Sequence, residues 1–174
     1  MIPGTGGEHM PLLAALARRM IAYYEGDPKR IQHFIKVHAL AALIGQMEGL
    51  DASTQTILEA AALVHDIGIK PAEARYGRCD GRLQEQEGPG PAGEILEELG
   101  FSPALIARVC YLVGHHHTYA DIDGPDYQIL VEADFLVNLY EDHVSPAGIR
   151  SAYDRIFCTA SGKALCRDMF GLTD

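Results

Sequence analysis

Helix starts punctuate this chain, and nothing in it reads as a strand. Asp27-Pro28, Ser102-Pro103, Gly124-Pro125-Asp126 and Ser145-Pro146 each place a capping or flexible residue before a proline. That pair opens an α-helix: the cap accepts a free backbone N–H, and the proline needs no partner in the first turn. Apolar residues then recur at helical steps, as in Leu12, Leu13, Leu16, Met20 and Tyr23 between Pro11 and Glu25. The Asp27-Pro28 helix runs to about Glu48, where Gly49 can end it. Ser53 or Asp51 can cap the next, which carries Leu58 and Leu63 to His65. Later helices run from Ala92 to Leu99, from Ser102 to the His115-His116-His117 cluster, and from Gly124 through Tyr140; two more begin at Ser145 and Thr159. The class is all-α, a single-domain bundle of about six to eight helices. The segment from Gly68 to Gly93 breaks this rhythm with Gly and Pro. It predicts an irregular stretch with at most a short helix, and long loops in compact domains are usually functional.

Composition narrows the function classes. The 174 residues suffice for one sizeable core, and the formal net charge is -10. Such an acidic chain is a poor fit to a nucleic-acid polymer, which demands a basic face. A small anionic substrate stays open, because a bound dication reverses the local sign. No run approaches the roughly 18 apolar residues that span a bilayer. The N-terminal stretch lacks a basic n-region and an apolar h-region, so a cytoplasmic protein is expected. Cys79, Cys110, Cys158 and Cys166 form no C-x-x-C pair and read as reduced thiols, with Cys110 as buried packing.

Against this background, His65-Asp66 ends the apolar run Ala60-Ala61-Ala62-Leu63-Val64. A buried carboxylate costs several kcal/mol unless it is paired or bound to a cation. Asp134 poses the same problem inside Val131 to Val137, where it shares a stripe with Leu130, Ala133 and Val137. It needs a metal or a basic side chain. Glu132 lies off that stripe and is expected in solvent. His33 shares a stripe with Val37, Leu40 and Ile44, and His38 is turned by about 140° onto another. Either can be a hydrogen-bonded core residue or a ligand.

The series Arg30-x-x-His33-x-x-x-Val37, Leu63-Val64-His65-Asp66-Ile67-Gly68, Gly114-His115-His116 and Glu132-Ala133-Asp134 resembles the HD-domain superfamily of metal-dependent phosphohydrolases. The resemblance implies residues 1–26 as an N-terminal helix packed on the core, 27–142 as the metal-binding core, and 143–174 as helices closing the same domain. It implies His33, His65, Asp66 and Asp134 as ligands of a divalent metal: Mn, Fe, Co or Ni, with Mg admissible. Two imidazoles and two carboxylates suit an octahedral ion better than closed tetrahedral Zn. A helix end at Gly68 would let the adjacent His65 and Asp66 converge. Some relatives add a second metal. Here His115 and His116 match one part of that pattern, while the upstream His position reads Gln84-Glu85-Gln86-Glu87-Gly88, leaving Glu87 as the substitute.

The implied reaction is hydrolysis of a small phosphate ester, nucleotides included. Asp66 would accept a water proton and His115 or His116 would protonate the leaving oxygen, since imidazole titrates near neutral pH. Lys70, one position further from the His-Asp pair than in many relatives, would act with Arg75 and Arg78 on the phosphate. Tyr76, Gly77 and Tyr119 would line the mouth. Two other functions stay open on the same scaffold: a di-iron oxygenase, and a non-catalytic protein that binds a nucleotide or metal. The Leu- and Ala-rich terminal helices leave a homodimer open.

Overall fold

The computed structural model describes residues 10–173, and these form ten helices and no strand. Helix α2 (Pro28–Met47) is the central element, packed on α3 (Ala52–Val64) and on α8 (Pro125–Glu141). Helix α1 (Leu12–Tyr23) covers α3, and the pair α6 (Pro89–Glu98) and α7 (Pro103–Val113) closes another side through α3. Helices α9 (Pro146–Arg155) and α10 (Ala160–Phe170) complete the bundle, with α10 on α8.

Local chemistry sets the boundaries. Asp27 accepts from Arg30 N at 3.1 Å to start α2, and Gly49 at φ 73° lets the chain turn out of it. Asp51, rather than Ser53, caps α3, accepting from Ser53 N and Thr54 N. Ser102, Ser145 and Thr159 cap α7, α9 and α10.

The Gly- and Pro-rich segment is more ordered than its composition predicts. It folds as α4 (Ile69–Tyr76), α5 (Gly81–Glu87) and the start of α6, which is why the helix count exceeds the sequence expectation. The prolines Pro71, Pro89 and Pro91 all fall in first turns, where the missing N–H is harmless. Gly68 and Gly88 are contact residues. A Cβ on Gly68 would lie 2.4 Å from Gln84 O and 2.9 Å from Gly88 N. Glycine here buys close approach of α4 and α5, a reason invisible to a one-dimensional breaker count.

Helix α8 also departs from expectation. Its Glu132 is fully buried and accepts from Gln128 Nε2, Cys158 N, Thr159 N and the Thr159 hydroxyl. Glu132 and Asp134 leave the helix about 200° apart. One side chain enters the bundle centre and the other enters the segment before α10. Helix α8 is thus buried on both sides. Cys166, not Cys110, is the buried cysteine, and all four thiols are free.

Candidate metal centre

The turn after α3 makes the centre. His65 takes helical angles as the C-cap, and Ile67 N and Ile69 N bond back to Val64 O and Asp66 O. The Tyr24 hydroxyl, at the end of α1, donates to Asp66 O at 2.8 Å and pins the turn. His65 and Asp66 therefore point to one place despite being neighbours. His33 reaches it from α2 and Asp134 from α8. His33 Nε2 lies 3.3 Å from His65 Nε2, 3.3 Å from Asp66 Oδ2 and 3.2 Å from Asp134 Oδ1. His65 Nε2 lies 3.5 Å from each of the same carboxylate oxygens.

The hydrogen bonds around the two rings fix what they offer. His65 Nδ1 donates to Ala62 O at 2.8 Å, and His33 Nδ1 donates to Glu141 Oε2 at 2.8 Å. In their neutral forms both rings then turn an Nε2 lone pair to the centre, facing two carboxylate oxygens. Four acceptors meeting in a buried site require a cation. Protons on the histidines can supply that charge as well as a metal ion can. Burial alone would lower the His65 imidazole, but Asp66 and Asp134 override it and push it up to about 9. Burial would raise the Asp66 carboxyl, and the facing histidines hold it at about 2 instead. Asp134 is held well below the carboxylate range by His33 and His65 against its own burial.

A second cluster adjoins the first. His116 Nδ1 donates to Val113 O at 2.9 Å, and its Nε2 is buried with no hydrogen-bond partner. Asp66 Oδ1 lies 3.6 Å from it, beyond hydrogen-bond reach. His117 sits beside it with Nε2 on Gln84 Oε1 at 3.0 Å, and burial lowers this imidazole to about 4. Asp66, His116 and His117 form a second group able to hold a metal ion, and Asp66 belongs to both. An orphaned buried nitrogen beside a carboxylate fits a cation better than it fits bare packing.

The HD domain family model matches residues 30–156, which span α2 through α9. This chain belongs to the HD domain family. A solved structure of a predicted HD superfamily hydrolase from an uncultured Thermotogales bacterium is similar in fold, with 24% identity and a TM-score of 0.63. The match covers 94% of this chain and 86% of that one. No curated protein matches the chain. The donor set of this HD domain is one that could hold a metal ion.

The structure brings together His33, His65, Asp66 and Asp134, with His116 beside them. It does not bring in His115 or Glu87. His115 Nδ1 donates to Tyr111 O at 2.7 Å and its ring stacks on Tyr111. Glu87 accepts from Arg75 and from the Tyr76 hydroxyl, both at 3.1 Å, and so ties α5 to α4. Lys70 Nζ donates to Tyr23 O at 2.9 Å, and Arg78 pairs with Asp80. None of Lys70, Arg75 and Arg78 lines the cleft of about 570 Å³ over the centre. Lys29 and Arg30 line it instead, with Arg30 held by Glu73 at 2.6 Å and by Asp27 at 3.2 Å.

Sequence reasoning missed His117, Asn138, Glu141 and Lys36. Lys36 donates to Glu141, and Asn138 Nδ2 donates to Asp134 Oδ1 at 2.9 Å. The signal was there for three of them. Asn138 and Glu141 follow Asp134 at steps of four and seven, and Lys36 follows His33 at three, so each shares the helical face of a residue of the centre. Among the described residues no helix is long and apolar enough to cross a membrane.

Proposed function

We propose that this HD domain protein is a phosphohydrolase that cleaves a small phosphate ester. One observation carries the reading: His33, His65, Asp66 and Asp134 converge at the floor of a polar cleft that opens to solvent. Those four residues would hold a divalent ion of the Mn, Fe, Co, Ni or Mg kind, with Asp66, His116 and His117 available to a second. Such an ion supplies Lewis acidity and acidifies water. The chain's own groups do the rest. Asp66 presents one oxygen to His33 and His65 and the other towards His116, so its carboxylate is placed to take a proton from an attacking water. His116, with Nδ1 committed to Val113 O, has one nitrogen left to give or take a proton at the leaving oxygen. Lys29 and Arg30 offer positive charge to phosphoryl oxygens from the α2 end of the cleft.

Phosphate release from a panel of mono- and diesters with Mn, Co, Ni and Mg, beside Asp134→Ala, tests this. Turnover of an ester that is lost together with bound metal in Asp134→Ala is the expected result. Full metal content and full turnover in that variant would overturn the ligand assignment. Metal-replete protein that is silent on every ester would overturn the hydrolytic one.

A further inference from the structure

Most members of the centre are oriented by a hydrogen bond to the side chain itself. Glu141 does this for His33, Ala62 O for His65, Val113 O for His116 and Asn138 for Asp134. Asp66 differs. Among the described residues its carboxylate meets only the histidines of the centre. Yet it belongs to both groups able to hold a metal ion. Its side chain is therefore aimed by its backbone, and the question becomes what holds that backbone.

The last carbonyls of a helix have no partner within it, and the turn after α3 inherits this need. Asp66 O accepts from Ile69 N at 3.0 Å and takes a second donor from α1. Tyr24, which is 3% exposed, donates its hydroxyl there at 2.8 Å, and Tyr23 reaches Ile67 O at 3.4 Å. Two consecutive tyrosines thus meet two consecutive carbonyls, their rings edge to face at 5.0 Å. The tie also runs the other way. Lys70, in the first turn of α4, donates to Tyr23 O at 2.9 Å and lies over the Tyr23 ring at 4.9 Å. Tyr23 ends α1, where the helix dipole favours a cation.

We propose that the end of α1 is a clamp on the His65-Asp66 turn, with Tyr24 as the positioning residue of the Asp66 carboxylate and Lys70 as the return tie. The clamp rests on the metal reading of the centre for its effect on affinity, but not for its effect on the turn. It gives Lys70 a task away from any substrate.

Mn affinity by chelator competition, amide exchange in the metal-free chain and urea unfolding test this together. Tyr24→Phe keeps the ring beside Phe34 and under Arg30 and removes only the hydroxyl. It should weaken Mn binding about tenfold. Exchange at the Ile67 and Ile69 amides should quicken by about the same factor, as one buried hydrogen bond is lost. Lys70→Met should weaken Mn about two- to fivefold and leave binding of inorganic phosphate to the Mn-loaded chain unchanged. Leu16→Val, two turns back on the buried face of α1, should lower the urea midpoint and keep the parent Mn affinity. Unchanged exchange in Tyr24→Phe overturns the clamp whether or not Mn binds. Unchanged Mn affinity in that variant overturns it too, as does an equal loss in Leu16→Val. Weaker phosphate binding with unchanged Mn affinity in Lys70→Met would return Lys70 to the substrate and overturn its part. If the parent chain holds no Mn and Tyr24→Phe still quickens exchange at both amides, the clamp stands and the metal reading falls.

Discussion

Glu132 is a buried carboxylate two residues from Asp134, which faces the histidine cluster, and the fold assigns it a purely architectural task. Its two oxygens take four donors: Gln128 Nε2 at 2.7 Å, Cys158 N at 2.6 Å, Thr159 N at 2.9 Å and the Thr159 hydroxyl. Glu132→Ala strands two backbone N–H groups at the start of α10. A hydrogen bond to a charged acceptor contributes about 1.5–3 kcal/mol, but the carboxylate regains hydration in the unfolded chain, so the sum is not additive. The net loss should be about 4 kcal/mol, lowering Tm by about 10 °C in a chain of this size. Glu132→Gln should cost only about 1 kcal/mol. Its carbonyl keeps three donors, and its amide can turn an N–H to the Thr159 hydroxyl oxygen. Urea unfolding followed by helical circular dichroism, with metal content measured alongside, separates these outcomes. Metal content should be unchanged in Glu132→Gln. A loss below about 1 kcal/mol for Glu132→Ala would mean that desolvation of the buried charge cancels its hydrogen bonds, and the architectural argument would fail.

Glu141→Ala should weaken metal binding by about 10- to 100-fold, because it frees His33 Nδ1 and with it the ring's tautomer and tilt; chelator competition reads this directly. Gly68→Ala should cost about 1–3 kcal/mol, since the new methyl overlaps Gln84 O and Gly88 N and must push α5 from α4; the urea midpoint is the measure. Glu48 has its carboxyl held below the ordinary 4.5 by hydrogen bonds from Ser161. A depressed carboxyl stabilises the fold above its unfolded value and loses that contribution as pH falls through its folded value. The stability gap between the parent chain and Glu48→Gln should therefore be present at neutral pH and close in acid, below the ordinary carboxyl value.

What was legible in the sequence follows from what a linear pattern encodes. Helix starts were legible because a cap and its proline are neighbours: Asp27-Pro28 and Ser102-Pro103 open α2 and α7. The convergence of His65 and Asp66 was legible because an unexplained charge at the end of an apolar run has few physical solutions. Contacts between distant segments were not. Gly68 reads as a breaker until Gln84 and Gly88 are seen against it, and Glu132 reads as solvated until Cys158 and Thr159 are seen to cover it.

The His115-His116-His117 run shows the same limit at the site itself. Past the end of α7 the backbone leaves helical register, so spacing no longer says which ring turns inward. The hydrogen bonds of the turn decide. Tyr127 shares its one hydroxyl proton between His115 O and Thr118 O, fixing the turn from α8, the helix that also carries Asp134. Glu85 accepts from His117 N and the Thr118 hydroxyl, both at 3.0 Å, fixing it from α5. Held at both sides, the turn stacks His115 on Tyr111 and leaves His116 and His117 beside Asp66. The Gln84-Glu85 pair thus bears on the centre through the histidines it orients. In this chain the segment upstream of Gly88 acts by positioning a turn, and Glu87, two residues on, serves the α4–α5 contact instead.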